Sequence, residues 1–208
     1  MLELQTFPLF LAAALLVALT PGPGVLYVAA RTLAGGRSEG LASSFGTGVG
    51  GFVHVIAAAI GVSALVMASA EAFTGLKIAG AVYLIWLGIK TWRQAGILNP
   101  IATKATGVGR AFREGIVVEA LNPKTAAFFL AFVPQFVDPS ANIALQFIVL
   151  GTISVGLNTG VDAVVAYYAA NAQASLSNRP SLIVKMRRTS GAVMFGLGAS
   201  LLLVRRDS

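Results

Sequence analysis

Ala18-Leu19-Thr20-Pro21-Gly22-Pro23-Gly24 is answered 102 residues further on by Ala120-Leu121-Asn122-Pro123-Lys124. Each run lies inside a long apolar stretch, 7 to 31 and 114 to 137. Proline has no amide hydrogen, and its ring presses on the carbonyl four residues back. Pro21 therefore frees the carbonyl of Val17, Pro23 that of Leu19 and Pro123 that of Glu119. Unpaired main chain in hydrocarbon costs several kcal/mol per group, so it survives only against protein or a wet cavity. Two helices broken at matched positions are predicted to meet at a central polar chamber.

Outward from these breaks, four more apolar stretches run from 40 to 69, 72 to 93, 141 to 171 and 190 to 204. Of the 208 residues 56% are hydrophobic and 11% charged, where a soluble domain carries about 25% charged residues. The mean hydropathy is +0.80, and a soluble globule is excluded. The 102-residue offset also carries the second stretch onto the fifth. Gly80-Ala81-Val82 and Gly191-Ala192-Val193 relate the third to the sixth. The chain reads as one transmembrane domain, with a first repeat over 1–93, a linker over 94–111 and a second repeat over 112–208. Three spans per repeat is an odd number, so the second enters the membrane from the opposite side. The expected fold is an all-α integral membrane protein of six transmembrane helices in two inverted three-helix repeats, helices 1 and 4 broken by proline. The last stretch is short for a ~30 Å hydrocarbon core, and five spans is the alternative.

The net charge of +7 would suggest nucleic acid in a soluble chain. Here topology explains it, and no nucleic-acid partner is expected. The gaps after stretches one, three and five, with their flanks, hold eleven Lys and Arg, while the other side holds Lys77, Arg205 and Arg206. By the positive-inside rule the basic loops are cytoplasmic and both termini lie outside. Met1-Leu2-Glu3 lacks the basic start of a secretory signal, so the first stretch is expected to stay as a span. With no cysteine, disulfides and thiolate metal sites are excluded.

Ionisable residues well inside the stretches are few: Glu119, Lys124, Asp162 and, if charged, His54. A charge at the bilayer centre is penalised by roughly 2.5–3.5 kcal/mol on insertion scales, so such groups pair or line a polar path. Glu119 and Lys124 flank Pro123, and Asn158 and Asp162, four apart, share a helical face. One cation and two carboxylates make a candidate site; the alternative is that Lys124 only neutralises an acid to permit insertion. Glu114, Arg113 and Lys77 lie near stretch ends and are expected to snorkel. Gly46, Gly48, Gly50 and Gly51 form a small-residue surface that lets helices approach. His54 on that stripe either hydrogen-bonds a neighbour or titrates, the first being preferred. Nucleotide-binding loops, paired metal-ligand histidines and nucleophile elbows are missing from the sequence. No catalytic residue, cofactor or metal ligand set is assigned.

Thr20-Pro21-Gly22-Pro23, with Tyr27 to Arg31 and the Gly35-Gly36-Arg37 turn, resembles the lysine exporter (LysE/RhtB) superfamily of bacterial amino-acid exporters. Gly46 to His54, Gly80 to Gly88, Leu121-Asn122-Pro123-Lys124 with Phe128-Phe129, and Pro134-Gln135-Phe136 are similar to the same pattern. The resemblance implies a multi-pass protein of the bacterial inner membrane that exports amino acids, energised by the proton-motive force.

The expected partners are a small-molecule amino acid of the homoserine or threonine kind, protons and the lipid bilayer, with a homo-oligomer admissible. The expected binding residues are Thr20, Pro21, Gly22, Pro23, Gly24, His54, Glu119, Asn122, Pro123, Lys124, Asn158 and Asp162. In this scheme helix N-termini after the breaks take the substrate carboxylate with Lys124, and freed carbonyls with Asp162 or Glu119 take its ammonium. Efflux of a metal cation and a non-transporting assembly role are the rival readings.

Overall fold

A computed structural model describes residues 6–96, 104–171 and 180–203, and among these the chain is helical without strands. Arg179, Arg205 and Arg206 of the charge count lie outside the described residues, as do both ends of the chain. Helix α1 (Phe7–Leu19) stops at Thr20, and α2 (Pro23–Ala57) starts with proline in its first turn, where no donor is missed. Within α2, Gly36 has φ 77° and ψ −171°, a conformation that a Cβ would obstruct. Residues 23–35 and 37–57 are therefore separate rods. A π turn (Ala58–Val62) and α3 (Ser63–Ala68) continue the second rod.

Ser69 breaks the chain and caps α4 (Ala70–Arg93), its hydroxyl accepting from the Ala72 N–H at 3.1 Å. The same hydroxyl donates to Glu71 and holds that carboxyl below its usual range. Helix α5 (Val108–Ala120) ends at the second break. There Asn122 caps α6 (Pro123–Ala127), which runs on through a π turn (Phe128–Phe132) and a 3-10 turn (Val133–Phe136). Helix α7 (Ile143–Asn171) and helix α8 (Pro180–Leu203) complete the described chain.

By length and composition, Pro23–Leu65 and Ile143–Ala169 could each cross a membrane. Val108–Ala120 with Pro123–Phe136, bent by 40°, make a third if taken as one span. Helix α8 differs from expectation: it is continuous from Pro180 through Lys185, Arg187 and Arg188 to Leu203, 24 residues where the apolar stretch alone suggested a short span. At 1.5 Å per residue this rod is ~36 Å long.

Besides a buried apolar core that includes Phe10, Phe147 and Leu150, the molecule carries large apolar side chains on its outside and polar ones within. Phe45, Ile56, Ile60, Leu121 and Tyr168 are exposed, whereas Thr47, Glu119, Asn122, Lys124, Asp162 and Ser190 are buried. Helix α2 packs against α5 and α7, and α4 against α8. Glycine sets how closely. A Cβ on Gly46 or Gly50 would collide with the carbonyls of Phe112 or Ile116 on α5, and one on Gly48 or Gly51 would press on Thr159 or Val155 of α7. The glycine stripe thus serves two interfaces. Phe10, Phe136, Phe132 and Phe128 form a ring column with centroids 5.2–5.4 Å apart, joining α1 to the segment after the second break.

Gly46→Val should lose about 1–3 kcal/mol through overpacking against Phe112, read as a lower midpoint of thermal denaturation in detergent. Gly160→Ala, facing open space on α7, should be neutral or gain up to about 1 kcal/mol of helix propensity. Equal losses at both positions would contradict this packing.

Candidate functional site

The two breaks face each other. Pro21, Gly22 and Pro23 from the first, and Pro123 and Lys124 from the second, line one cavity of about 200 Å³ together with Leu26, Leu87, Thr91, Gln94, Arg187 and Met194. Lys124 also borders a second space of about 30 Å³, lined by Thr47, Glu119, Thr125, Ser154 and Asn158 among others. That volume accommodates about one water.

The carbonyls at the breaks are met by local donors, such as the Thr20 N–H on Val17 at 3.1 Å, and by side chains from other elements. Lys124 Nζ donates to the Val17 carbonyl at 3.0 Å and the Thr20 carbonyl at 2.9 Å. Ser190 of α8 donates to the Pro21 carbonyl at 2.8 Å. The Thr20 hydroxyl donates to Leu16 at 2.6 Å. At the second break the Glu119 carbonyl accepts from the Asn122 N–H at 2.9 Å, with His54 Nε2 at 2.8 Å. His54, whose ring also stacks on Phe129, therefore bonds a neighbour. An unmet buried carbonyl costs about 1–3 kcal/mol, so these contacts hold the broken chain in place.

The three charged groups are brought together in different ways. The Glu119 carboxylate is supplied with donors, Asn122 Nδ2 at 2.9 Å and the Thr125 hydroxyl at 2.6 Å. Asn122 uses its other end, Oδ1, to accept from the Lys124 N–H at 3.0 Å. Asp162 has Thr47 Oγ1 2.8 Å from Oδ2, while its Oδ1 is buried with no hydrogen-bond partner. Lys124 is within Coulombic range of both carboxylates, but among the described residues no ion pair within 4.0 Å joins it to either. Gly22 and Gly24 leave room for this chemistry. A Cβ on Gly22 would lie 3.0 Å from Lys124 Cε, and one on Gly24 would lie 2.5 Å from Glu119 Oε2. Asn158 lines the smaller cavity.

Several groups escaped the sequence reading. Thr47, Thr125 and Ser190 are uncharged and common in membrane helices, so no pattern marks them. Glu39 lies just outside its apolar stretch, yet it is buried and its Oε1 accepts the Thr106 and Gly107 N–H groups at 2.9 and 2.6 Å, capping α5 from α2. Glu114, expected to snorkel, pairs instead with Arg31 and with Arg110, and Tyr27 reaches it at 3.1 Å. This cluster clamps rod 23–35 to α5.

A family model described as LysE type translocator matches residues 15–205. The chain is 32% identical over 201 residues to an uncharacterized membrane protein of Vibrio cholerae, covering 95% of this chain and 96% of that one. It is 32% identical to the homoserine/homoserine lactone efflux protein of Salmonella typhimurium, covering 94% and 95%. It is 30% identical to the leucine efflux protein of an Enterobacter species, covering 69% of each. No solved structure matches. The chain belongs to the LysE family of membrane translocators; it is a transporter and not an enzyme.

Asn122→Asp keeps the oxygen that caps Lys124 but sets a second carboxylate against Glu119. It should lower the denaturation midpoint more than Asn122→Ala, whose lost cap costs about 1 kcal/mol. A milder effect of Asp than of Ala, measured in detergent at neutral pH, would contradict the donor role of Nδ2.

Proposed function

We propose that this translocator exports a small amino acid across the bacterial inner membrane in exchange for protons. Its bundle is read as six spans in two inverted halves, 1–93 and 112–208, joined by a cytoplasmic linker over 94–111, with both termini outside. One observation carries the reading: two proline-broken helices from the two halves converge on a shared cavity beside a buried Lys124, Glu119 and Asp162. Convergent helix breaks around buried charge are how secondary transporters bind solutes at mid-membrane.

The substrate class is supported by relatives named for efflux of homoserine, its lactone and leucine. The 200 Å³ cavity has room for several waters and so for a small solute. A metal cargo is disfavoured because among the described residues no three His, Asp or Glu side chains cluster as ligands.

The hydrogen-bond inventory supports Asp162 as the proton carrier. Glu119 has both oxygens held, by Asn122 Nδ2 and by the Thr125 hydroxyl. Asp162 has one bare oxygen, and its one side-chain hydrogen-bond partner among the described residues, the Thr47 hydroxyl, also reaches the Ser44 carbonyl at 2.8 Å. A hydroxyl has one hydrogen. With Asp162 protonated, the acid donates to Thr47 and Thr47 to Ser44; with Asp162 ionised, Thr47 turns to it. The charged groups that act on Asp162 are Glu119 of α5 and Lys124 of α6; α1 contributes none.

Inside-out vesicles with an acidic lumen should accumulate labelled homoserine or leucine and stop when the gradient is collapsed. Asp162→Asn should cut this uptake at least tenfold while sparing substrate exchange at equal pH. If Asp162→Asn and Glu119→Gln both transport as the parent does, the coupling role falls.

A further inference from the structure

We infer that the Lys124 ammonium occupies the seat of the substrate's own ammonium and that substrate binds by displacing it. This rests on the export reading above. The seat consists of the Val17 and Thr20 carbonyls at the C-terminal end of α1, where the helix dipole is negative and Pro21 has removed a main-chain donor. Made of main chain alone, it recognises a primary ammonium and ignores the side chain attached to it.

Three features fit a displaceable occupant better than a fixed strut. Lys124 is buried, yet its ammonium takes two neutral carbonyls although two carboxylates lie within Coulombic range. A lysine present only to neutralise an acid would pair with it. The side chain also borders both the 200 Å³ cavity and the 30 Å³ space that Glu119 lines. Rotation about its own bonds can thus move the charge from seat to carboxylates while the helices stay in place. Finally, the chain passes over Gly22, where any Cβ would stand 3.0–3.2 Å from Cδ, Cε and Nζ, so its path at this crossing is kept open.

The consequence is an exchange of like for like. With no substrate, Lys124 satisfies the Thr20 carbonyl and the second lone pair of the Val17 carbonyl, whose first takes the Thr20 N–H. An arriving ammonium takes them over, and Lys124 moves toward Glu119 and Asp162, where its charge favours release of the Asp162 proton. Substrate and proton then never share the site, as antiport requires. This assigns Lys124 to the ammonium end of the substrate, where the sequence had suggested the carboxylate end.

The test compares leucine, 3-methylbutylamine, which lacks the carboxylate, and 4-methylpentanoate, which lacks the ammonium, as ligands of the purified full chain by titration calorimetry. Lys124→Met should bind the amine at least tenfold more tightly than the parent, bind leucine no more weakly, and no longer release a proton on binding. Weaker leucine binding with amine binding unchanged would overturn the seat and return Lys124 to the carboxylate. Should Lys124→Met not fold, the Nζ resonance of Lys124 in ¹⁵N-lysine-labelled parent protein decides: it should shift with saturating amine, and a fixed resonance overturns the proposal. A parent protein that binds neither leucine nor homoserine overturns the export reading itself, and the seat with it.

Discussion

At the end of α1 the Val17 carbonyl keeps only the Thr20 N–H at 3.1 Å, and Lys124 reaches both it and the Thr20 carbonyl from the other side of the first break. Much of the site follows from the rule behind that contact, that main chain in a low-dielectric interior has to be satisfied. Because Pro21 and Pro123 remove donors, side chains distant in sequence are drawn to the breaks: Lys124 and Ser190 to the first, His54 to the second. The same contacts tie α6 and α8 to the first break and α2 to the second. A local defect in each helix thereby becomes a tertiary junction.

Close helix packing makes the junction possible. Gly46 and Gly50 bring α2 against the α5 backbone, which puts His54 within reach of the Glu119 carbonyl and Glu119 beside Gly24. Bulkier residues there would push α5 away and take the Glu119 carbonyl out of reach of His54. At the far end of the same rods, Glu39 caps α5 and Arg31 pairs with Glu114, so charge fixes α5 at one end and main-chain satisfaction at the other.

Both acids are buried, yet their surroundings differ. Glu119 has its oxygens filled by Asn122 and Thr125, whereas Asp162 keeps one bare. Donors on both oxygens fix one carboxyl in place, whereas the other keeps an oxygen open to a new partner. The proposed division of labour, with Asp162 rather than Glu119 exchanging the proton, rests on this asymmetry together with a lysine that forms an ion pair with neither.

Much of this was legible in the chain itself. Mean hydropathy and the spacing of apolar stretches determined a helical membrane protein, because a bilayer leaves few other ways to satisfy the main chain. Pro21, Pro23 and Pro123 located the breaks, since proline's missing donor is a covalent fact. Glu119, Lys124 and Asp162 stood out because charge inside apolar sequence is costly. Partner choice was beyond sequence reach. That Lys124 takes carbonyls instead of an acid, that Thr47 and not Asn158 attends Asp162, that Glu39 caps a helix across the linker and that α8 runs through its basic segment all depend on which groups lie within about 3 Å. Such distances arise from helix crossings among residues far apart in the chain, and no local pattern encodes them.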